Sequence, residues 1–304
     1  MCSLVTGGAG FIGSNLVNEL VDHGDEVTVL DDFSVGRMDH LADCMDSIEI
    51  VKGSVCDMDL MRKLISRTDT VYHLAVECLM RCNGNPARAH EVNVGGTFNA
   101  CLAAHEAHAK MVYISSSEIY GTCRYVPMRE SHPATPQSIY GLSKLMGEEY
   151  VEFFNKYYGL PAVIIRPFNT YGPNHRDDQY SAVITAFIRQ LEIGEYPVIE
   201  GTGEQSRDFT YVSDTAAGIL TLSKLKQCEI MNIGSGKAIS IKELASTLLK
   251  IYGMEDKCIY TDPRPNDVLK LEADNRLAKS HGYKPRVSME EGLRKYIAWW
   301  RKNA

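Results

Sequence analysis

The sequence is short of several things. No run of about 18 consecutive apolar residues occurs in its 304 positions, which excludes a membrane-spanning helix. The apolar stretch at the N-terminus is interrupted by Gly7, Gly8 and Gly10 and has no basic lead-in, so it reads as a strand and turn rather than a signal peptide. Basic charge is not in excess: 32 Lys and Arg stand against 39 Asp and Glu, a net of -7. That balance argues against nucleic acid or an anionic membrane as the main partner. A small anionic substrate stays compatible, because a few local arginines can bind a phosphate on an acidic protein. Paired-cysteine motifs are missing too. The nine cysteines are scattered, with no CxxC and no metal-like Cys/His cluster, so no metal is expected and a reducing cytoplasm suits them. Cys78 and Cys82 form the only close pair and read as packing residues. There is no internal repeat and no low-complexity stretch.

What the sequence does have is rhythm, over a length that fits one large α/β unit or two sub-domains. Short β-branched runs at Ser3–Thr6, Glu26–Leu30, Ile48–Val51, Thr70–Leu74, Met111–Ser115 and Ala162–Arg166 read as buried strands. The segments between them are long enough for crossover helices. This alternation predicts a doubly wound parallel sheet covered on both faces. The clearest helix spans Tyr140 to Tyr158, where Leu142, Leu145, Met146, Tyr150, Phe153, Phe154 and Tyr157 form one apolar stripe ended by Gly159 and Pro161. After residue 168 the rhythm breaks into Gly/Pro-punctuated loops. A further strand is expected at Ile230–Ile233 and a terminal helix at Met289–Arg301, the latter in a smaller lobe resting on the sheet.

The first strand runs directly into Thr6-Gly7-Gly8-Ala9-Gly10-Phe11-Ile12-Gly13. Glycines there let the chain turn tightly, admit a pyrophosphate to the backbone and pack the next helix on the strand. The helix N-terminus then offers free N–H groups and a favourable dipole to the anion. A lone GxGxxG is also what a plain Gly-rich turn looks like. Here the second strand ends in Asp31-Asp32, 18 residues after Gly13, where a carboxylate can accept ribose hydroxyls and repel a 2′-phosphate. The expectation is NAD rather than NADP, with Arg37 as the residue favouring the opposite choice.

Tyr140-Gly-Leu-Ser-Lys144 opens the long helix as a YxxxK, with both side chains on one face. Tyrosine is a poor base at neutral pH, and a neighbouring ammonium favours phenolate, making it usable on a sugar hydroxyl. The bland alternative is a surface pair. Upstream, Ser115-Ser116-Ser117-Glu118 follows a strand end, where open α/β sheets place their ligands. A hydroxyl there can hold the oxygen whose proton Tyr140 takes.

In order along the chain stand TGGAGFIG, DDFSVGR, HLA at 73–75, NVGGT at 93–97, SSSEIYG, YGLSK, RPFNTYGP at 166–173 and RDFTYVSD at 207–214. Together they resemble the extended short-chain dehydrogenase/reductases, the NAD-dependent nucleotide-sugar epimerase/dehydratase group, across essentially the whole chain. The resemblance implies a Rossmann domain over 1–168 plus about 209–236, and a nucleotide-sugar lobe, C-terminal and α/β, over 169–208 and 237–304. It implies Tyr140 as base, Lys144 as phenolate stabiliser and nicotinamide-ribose ligand, and Ser116 or Ser117 as hydroxyl partner. It carries cofactor contacts onto Gly7, Gly10, Phe11, Ile12, Gly13, Asp31 and Asp32, and onto Ser54, Val55, Leu74, Ala75, Asn93 and Pro167. Asn169, Arg207 and Arg264 match positions that bind a diphosphate, a role that suits arginine forks. Individually, each arginine is as readily a surface ion-pair member. The same resemblance implies a homodimer joined through a four-helix bundle that includes the Tyr140 helix.

Departures narrow the branch. Simple 4-epimerases resembling this chain usually carry no acid at the position of Glu118, whereas the 4,6-dehydratases and nucleotide-sugar decarboxylases resemble it with a Glu shortly after the hydroxyl residue. Once C4 is a ketone the C5 proton is acidic, and a carboxylate beside C5 can remove it; otherwise Glu118 caps the turn or faces solvent. Hexose 4,6-dehydratases often place Asp before that Glu, and Ser117 stands there instead. The RxRxP-type segment of the decarboxylases is replaced by Pro263-Arg264-Pro-Asn-Asp267, closer to UDP-N-acetylglucosamine 5,6-dehydratases. Ser54 stands where GDxxD has its first Asp, and HLAVECLMRC replaces an HLAA-type run. Tyr196-Pro-Val-Ile199 resembles the strand that sandwiches a uracil or thymine. The expected function is a UDP-sugar dehydratase, with a UDP-hexose 4-epimerase as runner-up. Less favoured are a UDP-glucuronate decarboxylase and a non-catalytic NAD-sensing or RNA-binding protein on the same fold.

Overall fold

A computed structural model describes residues 1–175, 182–263 and 269–303. Its strands are β1 (Cys2–Thr6), β2 (Glu26–Asp31), β3 (Ile48–Lys52), β4 (Thr70–His73), β5 (Lys110–Ile114), β6 (Ala162–Pro167), β7 (Asn169–Tyr171), β8 (Val198–Glu200), β9 (Ser206–Tyr211), β10 (Ile230–Ile233), β11 (Ala238–Ser240) and β12 (Ile259–Thr261). Seven of them form one sheet in the order β10-β6-β5-β4-β1-β2-β3, every pair parallel. Chain order reverses between β1 and β4, so the C-terminal ends of those strands open a crevice there.

The helices are α1 (Phe11–Asp22), α2 (Met58–Ile65), α3 (Leu79–Gly84), α4 (Pro86–Ala89), α5 (Gly96–Glu106), α6 (Ile139–Tyr158), α7 (Val183–Glu192), α8 (Val212–Leu222), α9 (Ile241–Tyr252), α10 (Arg276–Ser280) and α11 (Met289–Asn303). One face of the sheet packs on α1 and α8, burying Leu16, Val17, Leu20, Ile219 and Leu222. The other packs on α2, α5 and α6, burying Met61, Leu64, Ala100, Ala104, Val151 and Phe154. Because both faces are covered, the central strands read as continuous apolar runs. A third core joins α7, α9 and α11 around a three-stranded sheet, β11-β9-β7. Strands β7, β8 and β11 are three residues each and β9 opens on Ser206-Arg207-Asp208, so the region after 168 shows little strand periodicity in sequence.

The stripe on α6 points the wrong way for a core. The helix is where the sequence expects it, capped by the Ser138 hydroxyl, which accepts from Gly141 N, and ended by Gly159 at φ 70°. Yet its buried face is Gly141, Ser143, Lys144, Gly147, Glu148, Val151 and Phe154. Leu142, Met146, Phe153 and Tyr157 face outward, Tyr157 63% exposed. Small residues explain the choice: a Cβ on Gly147 would stand 2.1 Å from the Tyr113 hydroxyl, so only glycine lets the helix lie this close to β5. That close approach carries Tyr140 and Lys144 over the end of β5.

Candidate active site

The β1–α1 turn has the geometry of an anion cradle. Gly7 lies at φ 70°, and a Cβ there would meet the Ala75 backbone at 2.7 Å. A Cβ on Gly13 would stand 2.2 Å from the Gly7 carbonyl oxygen. Gly10 precedes α1 without any side-chain cap, and the first turn holds no acidic residue, so its N–H groups are left for a ligand. Asp31 ends β2 and is 7% exposed; its carboxylate accepts from Ala9 N and Phe33 N, each at 2.9 Å. Burial pushes its pKa above the ordinary carboxylate value. Asp32 accepts from Ser34 N at 2.9 Å and faces Arg88 at 3.4 Å. Arg37 is paired with Asp39 at 2.6 Å at the protein surface.

One cavity of about 1410 Å³ runs from this cradle to the second lobe. Pockets for one drug-sized ligand run to about 300–1,000 Å³, so the space suits two ligands end to end. Its wall includes Gly7, Gly10, Phe11, Ile12, Gly13, Asp31 and Asp32, then Ser54, Val55, Leu74, Ala75 and Pro167. Ser116, Tyr140 and Lys144 line the middle; Asn169 and Arg207 line the part toward the second lobe. Arg264 lies outside the described residues. Asn93 is not on the wall. It is 1% exposed behind it, accepting from Glu77 N at 2.7 Å and donating to the Ser143 hydroxyl at 2.9 Å. Ser117 is buried and also off the wall, as is Glu118, which is half-buried.

At the middle, the Tyr140 hydroxyl hydrogen-bonds to Ser116, whose own oxygen caps Glu118 N at 3.2 Å. Burial pushes the Tyr140 pKa well above its ordinary value, with the nearby Glu118 carboxyl adding to the rise. Lys144 is 3% exposed, sits 4.3 Å over the Tyr113 ring, and is pulled down to about 7 by burial, against the opposing field of Glu148. In the protein alone, burial shifts both groups toward their neutral forms, Tyr140 upward and Lys144 downward. Behind Lys144, Glu148 is 1% exposed and takes both Nε and Nη2 of Arg166, at 2.9 and 2.6 Å. Glu118 has its pKa raised by burial and partly restored by the charge of Arg207.

Several wall residues escaped the sequence reading. Gln190, Gln205, Trp299 and Trp300 border the cavity, whereas Cys78 to Arg81, also on its wall, lie in the HLAVECLMRC run that the sequence marked as a departure. Gln190 could have been found from its place on an amphipathic helix. The tryptophans belong to the apolar face of α11 with Leu293, Tyr296 and Ile297, and in sequence they read as core packing. Asn169 Oδ1 and Ser115 Oγ are buried on the wall without a hydrogen-bond partner among the described residues, polar atoms a bound ligand would satisfy.

The sequence model described as the NAD dependent epimerase/dehydratase family matches residues 3–234. The chain belongs to this family. Among its relatives, a UDP-glucose 4-epimerase of Mycolicibacterium smegmatis is 33% identical over 312 residues, covering 100% of both chains. A UDP-N-acetylglucosamine 4-epimerase from Methanobrevibacter ruminantium, solved with UDP-N-acetylmuramic acid, superimposes with a TM-score of 0.95 at 32% identity, covering 100% of this chain and 99% of that one. DesIV, a dTDP-glucose 4,6-dehydratase from Streptomyces venezuelae solved with NAD and TYD, gives 0.91 at 30% identity, over 100% and 98%. Family members thus include epimerases and dehydratases. The glycine cradle and the acidic end of β2 fit the NAD on which the family depends, and its cavity is wide enough for a nucleotide-sugar beside it.

Proposed function

We propose that this enzyme is a dehydratase of a UDP-linked sugar, acting through transient oxidation at C4 and removal of the C5 proton. The observation that carries this reading is that Glu118 stands in the turn capped by Ser116, whose oxygen accepts from Glu118 N at 3.2 Å and whose side chain meets the Tyr140 hydroxyl. Tyr140 takes the proton of the C4 hydroxyl, and Ser116 holds that oxygen in line. The glycine cradle and the acidic end of β2 would hold NAD, which would supply an acceptor for the C4 hydride and give that hydride back to the sugar after water is lost. Lys144 supports the developing phenolate from one helical turn away. Glu118, its pKa lifted by burial, is a stronger base toward the C5 proton than an exposed carboxylate and holds that proton for the group leaving C6. Asn169 and Arg207 hold the diphosphate, with Arg264 as the third member of that set.

A 4-epimerase is the second reading. It is favoured by Glu118 and Ser117 lying off the cavity wall, and by the 4-epimerases among the relatives. The test is NMR of the purified protein incubated with a panel of UDP-sugars. Loss of water supports the dehydratase; inversion at C4 without loss of water selects the epimerase.

A second copy of this chain is the proposed partner, seated on the outward stripe of α6 with Phe98 of α5 beside it. The proposed location is the cytoplasm, in keeping with nine unbridged cysteines.

A further inference from the structure

Helix α6 buries two ionisable side chains one turn apart on the same face, Lys144 and Glu148. A buried carboxylate four residues from a buried ammonium is its natural partner, yet here the ion pair is made elsewhere. Both oxygens of Glu148 go to Arg166 of β6, at 2.9 Å to Nε and 2.6 Å to Nη2. The remaining nitrogen of that fork, Nη1, donates to the Tyr120 hydroxyl and the Glu130 carbonyl, each at 2.9 Å. The Lys144 ammonium sits instead 4.3 Å over the Tyr113 ring, on the cavity wall. Burial pulls the Lys144 pKa down to about 7, and the field of Glu148 opposes that fall. The other groups facing Lys144 are Tyr113 of β5, His73 of β4, Cys82 of α3 and Tyr140 one turn back on α6, all held neutral by burial. The balance between Glu148 and Arg166 thus sets the field at Lys144.

We propose that Arg166 is a positioning residue for the reaction: it occupies Glu148 so that the Lys144 ammonium stays free to face Tyr140 and the cofactor. This rests on the reading of Lys144 as the support of the Tyr140 phenolate, and it holds for dehydratase and 4-epimerase alike. Arginine suits the task. Its planar fork meets both carboxylate oxygens at once, and its charge persists in a buried site where a lysine readily loses its proton. Without it, Glu148 is an unpaired buried anion, and the nearest relief is the Lys144 ammonium one turn away. Lys144 would then leave the cavity wall for the interface between helix and sheet and take its charge away from the phenolate. Arg166 itself is off the cavity wall, so its effect is exerted through Lys144.

The experiment compares wild type, Lys144→Met, Arg166→Met, Arg166→Met with Lys144→Met, and Arg166→Met with Glu148→Gln, the folded fraction of each measured by circular dichroism. Lys144→Met must slow turnover on its own. If it does not, the reading of the reaction centre falls, and the role of Arg166 with it; a failure beside a slow Lys144→Met belongs to Arg166 alone. Per folded molecule, Arg166→Met is expected to lower kcat about tenfold or more, with KM for the UDP-sugar within a few-fold because Asn169 and Arg207 are untouched. Added to Lys144→Met it should cost nothing further, and adding Glu148→Gln should recover most of the lost rate. That last variant also covers the case in which Arg166→Met fails to fold, since a buried pair removed as a pair leaves no uncompensated charge. In ligand-free protein with ¹³C-labelled lysines, the Lys144 titration followed by NMR should move upward from about 7 in Arg166→Met. A folded Arg166→Met as fast as wild type, or with the Lys144 titration unmoved, would overturn the proposal. So would a further loss on adding it to Lys144→Met, or a folded Arg166→Met, Glu148→Gln protein as slow as Lys144→Met.

Discussion

The two ends of the cavity are made of different material. At the cofactor end the wall is largely backbone: glycines at 7, 10 and 13, an uncapped helix start, and a carboxylate spent on two N–H groups. At the sugar-nucleotide end it is largely side chain, with Asn169, Gln190, Gln205, Arg207 and two tryptophans projecting from short strands and helix ends. Backbone contacts are fixed by the path of the chain and leave little room for variation. Side-chain contacts vary without disturbing the sheet. One fold can therefore keep its cofactor while changing its sugar, which is why family membership fixes the first ligand and leaves the second to local residues.

The reaction centre lies between these ends, and damage there should be the most severe. Tyr140→Phe removes one hydroxyl and little packing, so kcat should fall by about 10²–10⁴-fold, while NAD and sugar-nucleotide affinity stay within a few-fold. Steady-state rates with parallel binding titrations check this; a variant keeping more than about a tenth of the rate contradicts Tyr140 as base.

Gly13→Ala tests the backbone end. Its Cβ meets a carbonyl oxygen that cannot swing aside, so the turn must shift, at a cost of about 1–3 kcal/mol in stability and with loss of most NAD affinity. Thermal melts with and without NAD measure both effects. An alanine tolerated with unchanged NAD binding would show the cradle to be softer than its geometry implies. Arg207→Met tests the other end. It should weaken a UDP-sugar by about tenfold while leaving NAD untouched, sharpening the division. Equal losses for both ligands would erase it.

The same division accounts for what could be read from the sequence. The six early strands and the cradle were legible because continuous apolar runs and fixed glycine spacing are local signals. The facing of α6 was not. Leu142, Met146, Phe153 and Tyr157 of its apolar stripe lie outside, because Gly147 and Gly141 let the helix press a face of small and polar residues onto β5 and the Glu118 turn, and glycines carry no hydrophobic signal. Asn93 was legible as a motif residue but not as a buried brace, since its partners Glu77 and Ser143 are 16 and 50 residues away in sequence. The far wall takes residues from β7, β8 and β9, which have little periodicity to read, and from α11, which was legible as a helix but not as a cavity wall.

The smallest expected effect concerns Lys144. Burial holds it at about 7 against an ordinary 10.5. Between those values the unfolded chain carries a proton that the folded chain lacks, so the stability contributed at this position rises with pH across that window and is lost as pH falls through 7. In ligand-free protein, the melting-temperature difference between wild type and Lys144→Met should move in favour of wild type from about pH 7 to about pH 9. A difference flat with pH contradicts a neutral buried lysine.

The central claim is that a C–H bond at C5 is broken, and hydrogen exchange reads that event directly. The wild-type enzyme is incubated with its UDP-sugar in D₂O, beside Glu118→Gln, and the recovered sugars are examined by NMR and mass spectrometry. Proton removal at C5 predicts deuterium at C5 or C6 with wild type, and its disappearance with Glu118→Gln. An enzyme that only oxidises and re-reduces C4 never opens the C5–H bond. Turnover with no deuterium in substrate or product, and a Glu118→Gln protein as active as wild type, would contradict the dehydratase and leave the 4-epimerase.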